Sequence, residues 1–361
     1  MGKLSQLELF RAAAAHEKHD EFLYQASFTD HLKEALIKKL NVTDLNEYFG
    51  FYRAVSVCGG FGHRAPYSKQ PDVAEKYYGG MNIPDGSTID NIGVLRAPGG
   101  YFHFTHLISP LRNAETLDEI EKFPYYLPIP EFDLEDLKQK TEAVHAQGKV
   151  AQCAVHHLYE RAWQIRGYEP FLMDMIGAPE NCEYILDRIN EHNLRLAEYG
   201  AMAGVDVLIT GDDVANQRAM MFAPELWRKF IKERWAKVYA AARKIKPDIQ
   251  IWYHSDGNIE EIIPELIEIG VTILNPLQPE CMDVADLKKR YGKQLVFDGA
   301  IGTQTTMSFS SPDEVRRVVR ENKKNLGYDG ALILSPTHIL EPEVPVENVI
   351  AFAEACREKE R

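Results

Sequence analysis

Cysteine is sparse in this sequence, with five among 361 residues and none spaced as C-x-x-C. A disulfide framework and a zinc knuckle both depend on closely spaced cysteines, so the sequence predicts neither. Isolated thiols are typical of a reducing compartment, and we expect a cytoplasmic protein. The five positions are Cys58, Cys153, Cys182, Cys281 and Cys356.

Long apolar runs and basic blocks are missing as well. No hydrophobic stretch approaches the ~20 residues that a membrane-spanning helix requires. Acidic residues outnumber basic ones by 54 to 41, the formal net charge is −13, and the two signs are interspersed. This balance argues against nucleic acid or an anionic membrane as a partner. Small molecules and other proteins remain, and a homodimer is left open.

Glycine-rich nucleotide motifs do not occur, neither G-x-G-x-x-G nor a P-loop, which argues against a nucleotide-binding open sheet. From residue 130 onwards, strand-like and helix-like segments alternate, which implies parallel strands joined by right-handed crossovers. With a first strand near residues 21–27 and a second hidden within residues 41–124, about eight strands are expected. We therefore predict one (β/α)8 TIM barrel over residues 1–361, with residues 41–124 as an irregular loop and hairpin elaboration near its mouth. An open doubly wound sheet is the alternative.

The stretch from Ile249 to Gly257 is typical of a short buried strand that ends at His254 and Asp256. Two residues apart on an extended chain, both side chains point to the same side. They could therefore hold one ion or one substrate together. The alternative is a histidine and an aspartate that end a strand and cap the next helix.

Polar residues collect at the other predicted strand ends, where barrel enzymes carry out their chemistry. Adjacent residues at a strand end point in opposite directions, so only one of Asp212 and Asp213, and one of His156 and His157, is expected to face a pocket. An aromatic run from Tyr101 to His106 suits a hairpin at the mouth. We assign catalysis to Asp213, His254 and Gln217, and substrate binding to His156, Gln278, Asp298 and Tyr101.

A metal site is predicted from three of these strand-end residues. The imidazoles of His254 and His338 and the carboxylate of Asp256 would provide three ligands and leave one position open, as catalytic zinc sites do. The alternative for His338 is that it packs against Pro336 or Pro342 and hydrogen-bonds a loop carbonyl.

Six segments within about residues 150 to 357 form a recognisable set. They are Gly211-Asp-Asp-Val-Ala-Asn-Gln217, His254-Ser-Asp-Gly257, Ile269 to Gln278, Val296 to Gln304, Leu334-Ser-Pro-Thr-His338 and Pro345-Val-Glu-Asn348. Together they resemble the uroporphyrinogen decarboxylase superfamily. The resemblance implies a (β/α)8 barrel. It also implies either a metal-free porphyrinogen decarboxylase or a zinc-dependent methyltransferase that works with a corrinoid protein.

The decarboxylases of this superfamily carry an Arg-Gln-Ala-Gly-Arg-Tyr segment just after the first strand, which holds the acidic side chains of the tetrapyrrole. The equivalent stretch here, Phe22 to His31, contains no arginine. A substrate with eight carboxylates requires cationic partners. We therefore do not expect uroporphyrinogen to be the substrate.

The methyltransferase branch typically has His-x-Cys at the fifth strand and a further cysteine after the eighth. This sequence has Asp256 in place of the first cysteine and Thr337-His338 near the second. Oxygen and nitrogen ligands make a harder site, which suits an ether oxygen better than a thiolate. The resemblance thus implies transfer of a methyl group from a small O-methyl compound, such as an aryl methyl ether, or an N-methyl compound, to a corrinoid protein, with zinc as Lewis acid. The alternatives are a decarboxylase or lyase of a smaller acid and a metal-free binding protein.

Overall fold

The computed structural model describes residues 4–59, 64–66, 71–99, 105–124 and 126–359. Its strands are short and fall into one parallel and one antiparallel sheet. They are β1 (Leu23–Tyr24), β2 (Val55–Gly59), β3 (Arg64–Pro66), β4 (Thr88–Asp90), β5 (Leu95–Pro98), β6 (Thr105–Ile108), β7 (Ala151–Ala154), β8 (Val207–Gly211), β9 (Gln250–His254), β10 (Ile273–Leu277), β11 (Val296–Ile301) and β12 (Leu332–Pro336).

The parallel sheet has eight strands in the order β1-β12-β11-β10-β9-β8-β7-β2. Its two outer strands meet, because the N–H of Tyr52, just ahead of β2, donates to the carbonyl of Tyr24 in β1 at 2.8 Å. The predicted TIM-barrel fold is confirmed, and the strand expected within residues 41–124 is β2.

Helices follow most of these strands and cover the outside of the sheet. Within the described ranges, none is both long and apolar enough to cross a membrane. They are α1 (Gln6–Ala14), α2 (Asp30–Leu40), α3 (Leu45–Phe49), α4 (Pro71–Tyr78), α5 (Leu117–Glu121), α6 (Leu134–Ala146), α7 (Leu158–Arg166), α8 (Tyr168–Gly177), α9 (Pro179–Met202), α10 (Pro224–Trp227), α11 (Glu233–Ile245), α12 (Ile263–Ile269), α13 (Val284–Tyr291), α14 (Pro312–Leu326) and α15 (Val346–Arg357).

Local sequence signals account for several of these boundaries. The side chain of Ser311 accepts a hydrogen bond from the N–H of Glu314, and Pro312 occupies the first turn of α14, where its missing N–H costs nothing. The helical segment from Pro224 to Ile245 is interrupted, because residues Arg228–Lys232 between α10 and α11 are π-helical.

The lower end of the barrel, where the strands begin, is closed by α1. Leu7, Leu9 and Phe10 of this helix are buried in one apolar cluster with residues at the strand starts, such as Val207 and Ile333. Burial of this kind contributes about 25 cal/mol for each Å² of apolar surface removed from water. The functional site is therefore sought at the opposite end of the barrel, where the strands end.

Residues 41–124 are more regular than the sequence predicted. Beside β2 and the helices α3, α4 and α5, they contain the antiparallel sheet β3-β4-β5-β6. A small core under this sheet includes Val73, Tyr78, Ile89 and Leu95. Hairpin pairing between alternating strands was expected here, but the extent of the sheet depends on contacts that sequence periodicity does not reveal.

Candidate functional site

A cavity of about 610 Å³ opens at the carboxyl ends of the parallel strands. Its wall is formed by the chain after β1, by β9, by the chain after β12, by the start of α7 and by the turn between β4 and β5. This volume lies within the range of small-molecule sites, roughly 300–1,000 Å³. The antiparallel sheet therefore provides one wall of the mouth, through Asp90, Asn91 and Arg96.

Three ligand-type side chains meet in this cavity, and we call Asp213, His254 and Asp256 the open cluster. One ligand atom from each lies within 4.8 Å of the other two. His254 ends β9, Asp256 follows it, and Asp213 follows β8, which is paired with β9 so that Gly211 lies opposite His254. A Cβ on Gly211 would lie 2.4 Å from the carbonyl oxygen of His254, so only glycine permits this approach.

The ring of His254 is held on two sides. Its Nδ1 hydrogen-bonds Oδ1 of Asn275 at 2.7 Å, and the indole of Trp252 stacks on it with 5.7 Å between ring centroids and 9° between planes. An amide oxygen accepts, so Nδ1 carries the proton and Nε2 keeps its lone pair for a ligand. Metal-binding histidines are commonly fixed by a second-shell partner of this type.

The spacing within the open cluster matches that of ligands around one ion. Nε2 of His254 lies 3.5 Å from Oδ1 of Asp213. Two ligands bonded at ~2.0–2.1 Å to a tetrahedral zinc ion are roughly 3.3 Å apart. The separation is long for a hydrogen bond and appropriate for a shared metal.

Asp256 provides the observation that best tests whether the cluster fits a cation. Its Oδ1 is buried and has no hydrogen-bond partner among the described residues, while its N–H donates to Oδ1 of Asp213 at 2.8 Å. Burial, with the charge of Asp213 adding to it, raises the pKa of Asp256 despite the opposing effect of His254. A buried carboxylate oxygen without a partner costs free energy unless a cation or a donor reaches it. The residues present therefore fit a divalent metal with one nitrogen and two oxygen ligands.

His338 takes a different place from the one predicted. Its Nε2 lies 3.9 Å from Oδ2 of Asp256, but the residue is not part of the open cluster, and its side chain is 52% exposed. Its Nδ1 faces the carbonyl of Ile339 at 3.3 Å, which agrees with the alternative of a loop hydrogen bond. Asp213, assigned to catalysis from the sequence, is instead the third member of the open cluster, because the chain after β8 turns toward His254.

A second group of three, the closed cluster of His157, Glu160 and Asp212, lies beside the first. Nδ1 of His157 donates to Oε2 of Glu160. Asp212 is fully buried and accepts hydrogen bonds from the N–H of Tyr159 at 2.7 Å and from Nε1 of Trp235 at 2.9 Å. These contacts fix the first turn of α7 against the barrel.

The pKa values in the closed cluster follow from these contacts. Burial on its own would lower the pKa of His157, but the hydrogen bond and charge of Glu160 outweigh it and raise the pKa to about 9. Burial raises the pKa of Asp212 to about 7, although His157 opposes the shift. His157 is therefore an imidazolium at neutral pH.

Two of the predicted residues support the loops above the open cluster. Gln278 is buried, and its Oε1 accepts the N–H of Gly257 at 3.0 Å, which fixes the turn after Asp256. Gln217 is exposed and donates to Oε1 of Gln304 at 2.5 Å. Neither side chain lines the cavity.

Asp298 lies beneath the cavity rather than at its surface. Its carboxylate is buried and accepts hydrogen bonds from Trp252 at 2.9 Å, Ser335 at 2.8 Å and Gln25 at 3.1 Å, and these three residues line the cavity. Burial raises its pKa. Asp298 thus holds the cavity floor in place. Tyr101 falls outside the described residues.

His156 and His157 differ from the expectation, because the structure turns His157 and not His156 into the cavity. The ring of His156 is buried 5.1 Å from that of His192, and burial, together with the charge of Arg161, lowers its pKa to about 3. β7 already ends at Ala154, so the alternation of an extended chain no longer applies at these two positions.

Among the cavity residues, Arg161, Gln164 and Arg96 were not singled out from the sequence. His157, Glu160, Arg161 and Gln164 occupy positions i, i+3, i+4 and i+7 around α7 and therefore share one face, and all four line the cavity. That spacing, directly after a strand end, could have predicted that these residues lie on one helix face at the cavity. Arg96, which comes from β5, carries no such signal, because the antiparallel sheet is defined only by its pairings.

The amino-acid sequence places the chain in a family that agrees with this geometry. Residues 162–359 match the uroporphyrinogen decarboxylase (URO-D) family model. The match covers more than half of the chain, and the protein belongs to this family. No curated protein sequence matches it significantly.

Solved structures confirm the fold. A methyltransferase from Methanosarcina mazei superposes with a TM-score of 0.65 over 98% of each chain, at 17% sequence identity. Weaker likenesses include a B12-independent methionine synthase from Shewanella sp. W3-18-1, with a TM-score of 0.43, 15% identity and coverage of 64% of this chain and 70% of that one. An endo-β-1,4-xylanase from Gloeophyllum trabeum has a TM-score of 0.40, 11% identity and coverage of 65% and 84%.

Proposed function

We propose that this protein takes a methyl group from a small O-methyl or N-methyl compound, in the first place an aryl methyl ether, and passes it to a corrinoid held by a partner protein. The observation that carries the proposal is the open cluster, a three-ligand set with an unpartnered Asp256 oxygen at the wall of an accessible cavity. The family and the methyltransferase fold of the M. mazei structure support it.

The metal would be held by Nε2 of His254 and by one carboxylate oxygen each of Asp213 and Asp256, and zinc is our proposal for it. When bound, it supplies Lewis acidity toward the ether oxygen of the donor. The electron pair of the C–O bond would remain on that oxygen, and the new bond to the methyl group would form with an electron pair donated by the reduced corrinoid.

The residues around the open cluster prepare this step. Asn275 keeps the proton of His254 on Nδ1, so that Nε2 stays available. The imidazolium of His157, which is paired with Glu160, lies with its ring centroid 6.2 Å from that of His254, and this end of the ion pair would partly offset negative charge that develops on the donor oxygen. A fixed charge of this kind stabilises an oxyanion without being reorganised during the reaction.

The partner protein is part of the proposal because a corrinoid is too large to be enclosed by this cavity. It would have to approach the open mouth at the strand ends, beside the antiparallel sheet. The volume of about 610 Å³ accommodates a small donor and leaves the acceptor outside.

The test is demethylation of a panel of methyl ethers by the purified protein, with zinc or after chelation, and with a reduced corrinoid protein present or absent. We expect loss of the methyl group only when both zinc and the corrinoid protein are present. Asp256→Asn should abolish turnover, since it replaces the carboxylate whose oxygen is unpartnered. Asp313→Asn is the matched control, because Asp313 is 97% exposed on α14.

Equal turnover without the corrinoid protein would reject the partner and the mechanism. Turnover unaffected by chelation would reject the metal. Release of CO₂ from a carboxylic acid without methyl transfer would support the decarboxylase alternative instead. Formation of coproporphyrinogen from uroporphyrinogen would overturn the expectation drawn from the arginine-free stretch Phe22 to His31.

A further inference from the structure

The cavity is lined by groups of both charges. The open cluster contributes two carboxylates, and Arg96 from β5 and Arg161 from α7 contribute two guanidinium groups. The arginine side chains are only 11% and 10% exposed. Arginines this well buried require anionic or hydrogen-bonding partners, because an unpaired buried charge is costly.

Both arginines converge on a single carboxylate. Oδ2 of Asp90 lies 3.1 Å from Nη2 of Arg96 and 3.7 Å from Nη1 of Arg161. The other oxygen of Asp90 is occupied by the N–H groups of Ile92 at 3.2 Å and Val94 at 3.0 Å, so it is not available to either guanidinium. Oδ2 of Asp90 is therefore shared by both arginines.

Gln164 holds the two guanidinium groups side by side. Its Oε1 accepts from Nη1 of Arg161 at 3.2 Å and from Nη2 of Arg96 at 3.4 Å. Among the described residues, Nη1 of Arg96 has no hydrogen-bond partner. Nε and Nη2 of Arg96 already donate to Oδ2 of Asp90, so the N–H groups of Nη1 are the donors that can reach a carboxylate oxygen of a ligand.

We propose that Arg96 and Arg161 bind a carboxylate of the substrate, so that the methyl donor is a small carboxylic acid whose methylated oxygen or nitrogen reaches the open cluster. This inference rests on the proposed function, which identifies the other end of the substrate as a methylated oxygen or nitrogen. The arginines decide the orientation, because their positive charge attracts a carboxylate.

The distance between the two ends limits the size of the substrate. His157, which faces the open cluster, and Gln164, which holds the arginines, lie seven residues apart on one face of α7. At ~1.5 Å of rise per residue, the two ends are separated by roughly 10 Å along the helix. An acid with one aromatic ring or a short chain between its carboxylate and its methylated atom fits this span.

The test measures binding by isothermal titration calorimetry, without the corrinoid protein, so that it does not depend on turnover. The ligands are methoxyacetate, 4-methoxybenzoate and 3-(4-methoxyphenyl)propanoate, each compared with its neutral primary amide. We expect at least one acid to bind roughly 10- to 100-fold more tightly than its amide, the range of one or two charge-assisted hydrogen bonds.

The variants separate binding from folding. Arg96→Gln and Arg161→Gln should each remove most of the preference for the acid and leave amide binding unchanged, whereas Arg96→Lys, which keeps the charge without the fork, should retain part of it. Arg316→Gln is the control, since Arg316 pairs with Asp313 and Glu354 on the outer surface. An unchanged acid-to-amide ratio in the glutamine variants, with lowered thermal stability, would show that the arginines only attach the antiparallel sheet.

The outcomes distinguish this inference from the function it rests on. No preference for any of the three acids, together with demethylation of the amides, would overturn the carboxylate site and leave methyl transfer intact. Binding of an acid that is lost in Arg96→Gln, without methyl transfer under any condition, would uphold the carboxylate site and reject the proposed function.

Discussion

The closed cluster and the open cluster have nearly the same composition, but their ligand-type atoms differ in whether they already have hydrogen-bond partners. Each brings ligand-type atoms within 4.8 Å of one another, and each contains histidine and carboxylate groups. In the closed cluster His157 is paired with Glu160, and Asp212 accepts N–H donors from Tyr159 and Trp235. In the open cluster one buried oxygen of Asp256 has no partner within the described ranges.

This difference teaches that proximity of ligand-type residues does not define a metal site. What distinguishes the two groups is whether their hydrogen-bonding capacity is already used. The neighbours Asp212 and Asp213 fall on different sides of this division, one residue apart in the chain. The comparison can be tested by changing matched residues in the two clusters.

The largest effect is expected for His254→Ala, which removes the only nitrogen of the open cluster. Loss of one ligand of three should weaken zinc binding more than ~100-fold, since it forfeits about 3 kcal/mol, roughly a third of the ~10 kcal/mol typical at the low end of structural zinc binding. Competition with a chelating dye measures the affinity, and circular dichroism checks the fold. His157→Ala in the closed cluster is the control. An equal loss of zinc in both variants would remove the distinction between the clusters.

An intermediate effect is expected from the two neighbouring aspartates. Asp212→Ala leaves the buried N–H groups of Tyr159 and Trp235 without an acceptor, and we expect it to lower the free energy of unfolding by about 2 kcal/mol. Asp213→Ala should change stability much less and weaken zinc binding instead. Urea unfolding and zinc titration of both variants provide the measurement. The prediction fails if Asp212→Ala binds zinc as poorly as Asp213→Ala while remaining as stable as the unsubstituted protein.

The smallest effect concerns pH. Because the pKa of His157 is raised to about 9, its imidazole binds a proton more tightly in the folded chain than in the unfolded one. Its stabilisation is complete below the unfolded-state pKa of about 6.5 and is lost as pH rises through about 9, which amounts to about 1 kcal/mol between pH 7 and pH 8. Glu160→Gln removes the charge that raises the pKa and should abolish this slope. Unfolding free energies of both proteins across this range decide the matter, and parallel profiles would contradict the assignment.

The sequence was enough to predict those features that depend on residues close together in the chain. Alternation of strands and helices predicted the barrel, and His254 and Asp256, expected to point to the same side at the end of a strand, do meet in the open cluster. These inferences depend on neighbours in the chain. They hold because parallel strands of a barrel end at the same face.

The sequence did not suffice where the chain leaves regular structure. β7 ends before His156, so the conformation of the following turn, and not alternation, decided that His157 faces the cavity. The third residue of the open cluster depended on the direction of the chain after β8, which turned Asp213 toward His254. Arg96 reaches the cavity through the pairing of β5 with β4 and β6, and such register is a long-range property.

Because Arg161 lies on the face of α7 that lines the cavity, the length of this helix sets the distance between the arginines and the open cluster, and thus the length of the substrate. With 3.6 residues per turn, one residue inserted between Glu160 and Arg161 would rotate the arginine about 100° away from the cavity. An insertion of four residues would return it to nearly the same face, about 6 Å farther along the axis. The helix could thus be lengthened by whole turns to select longer acids, while the open cluster, built on β8 and β9, stays where it is.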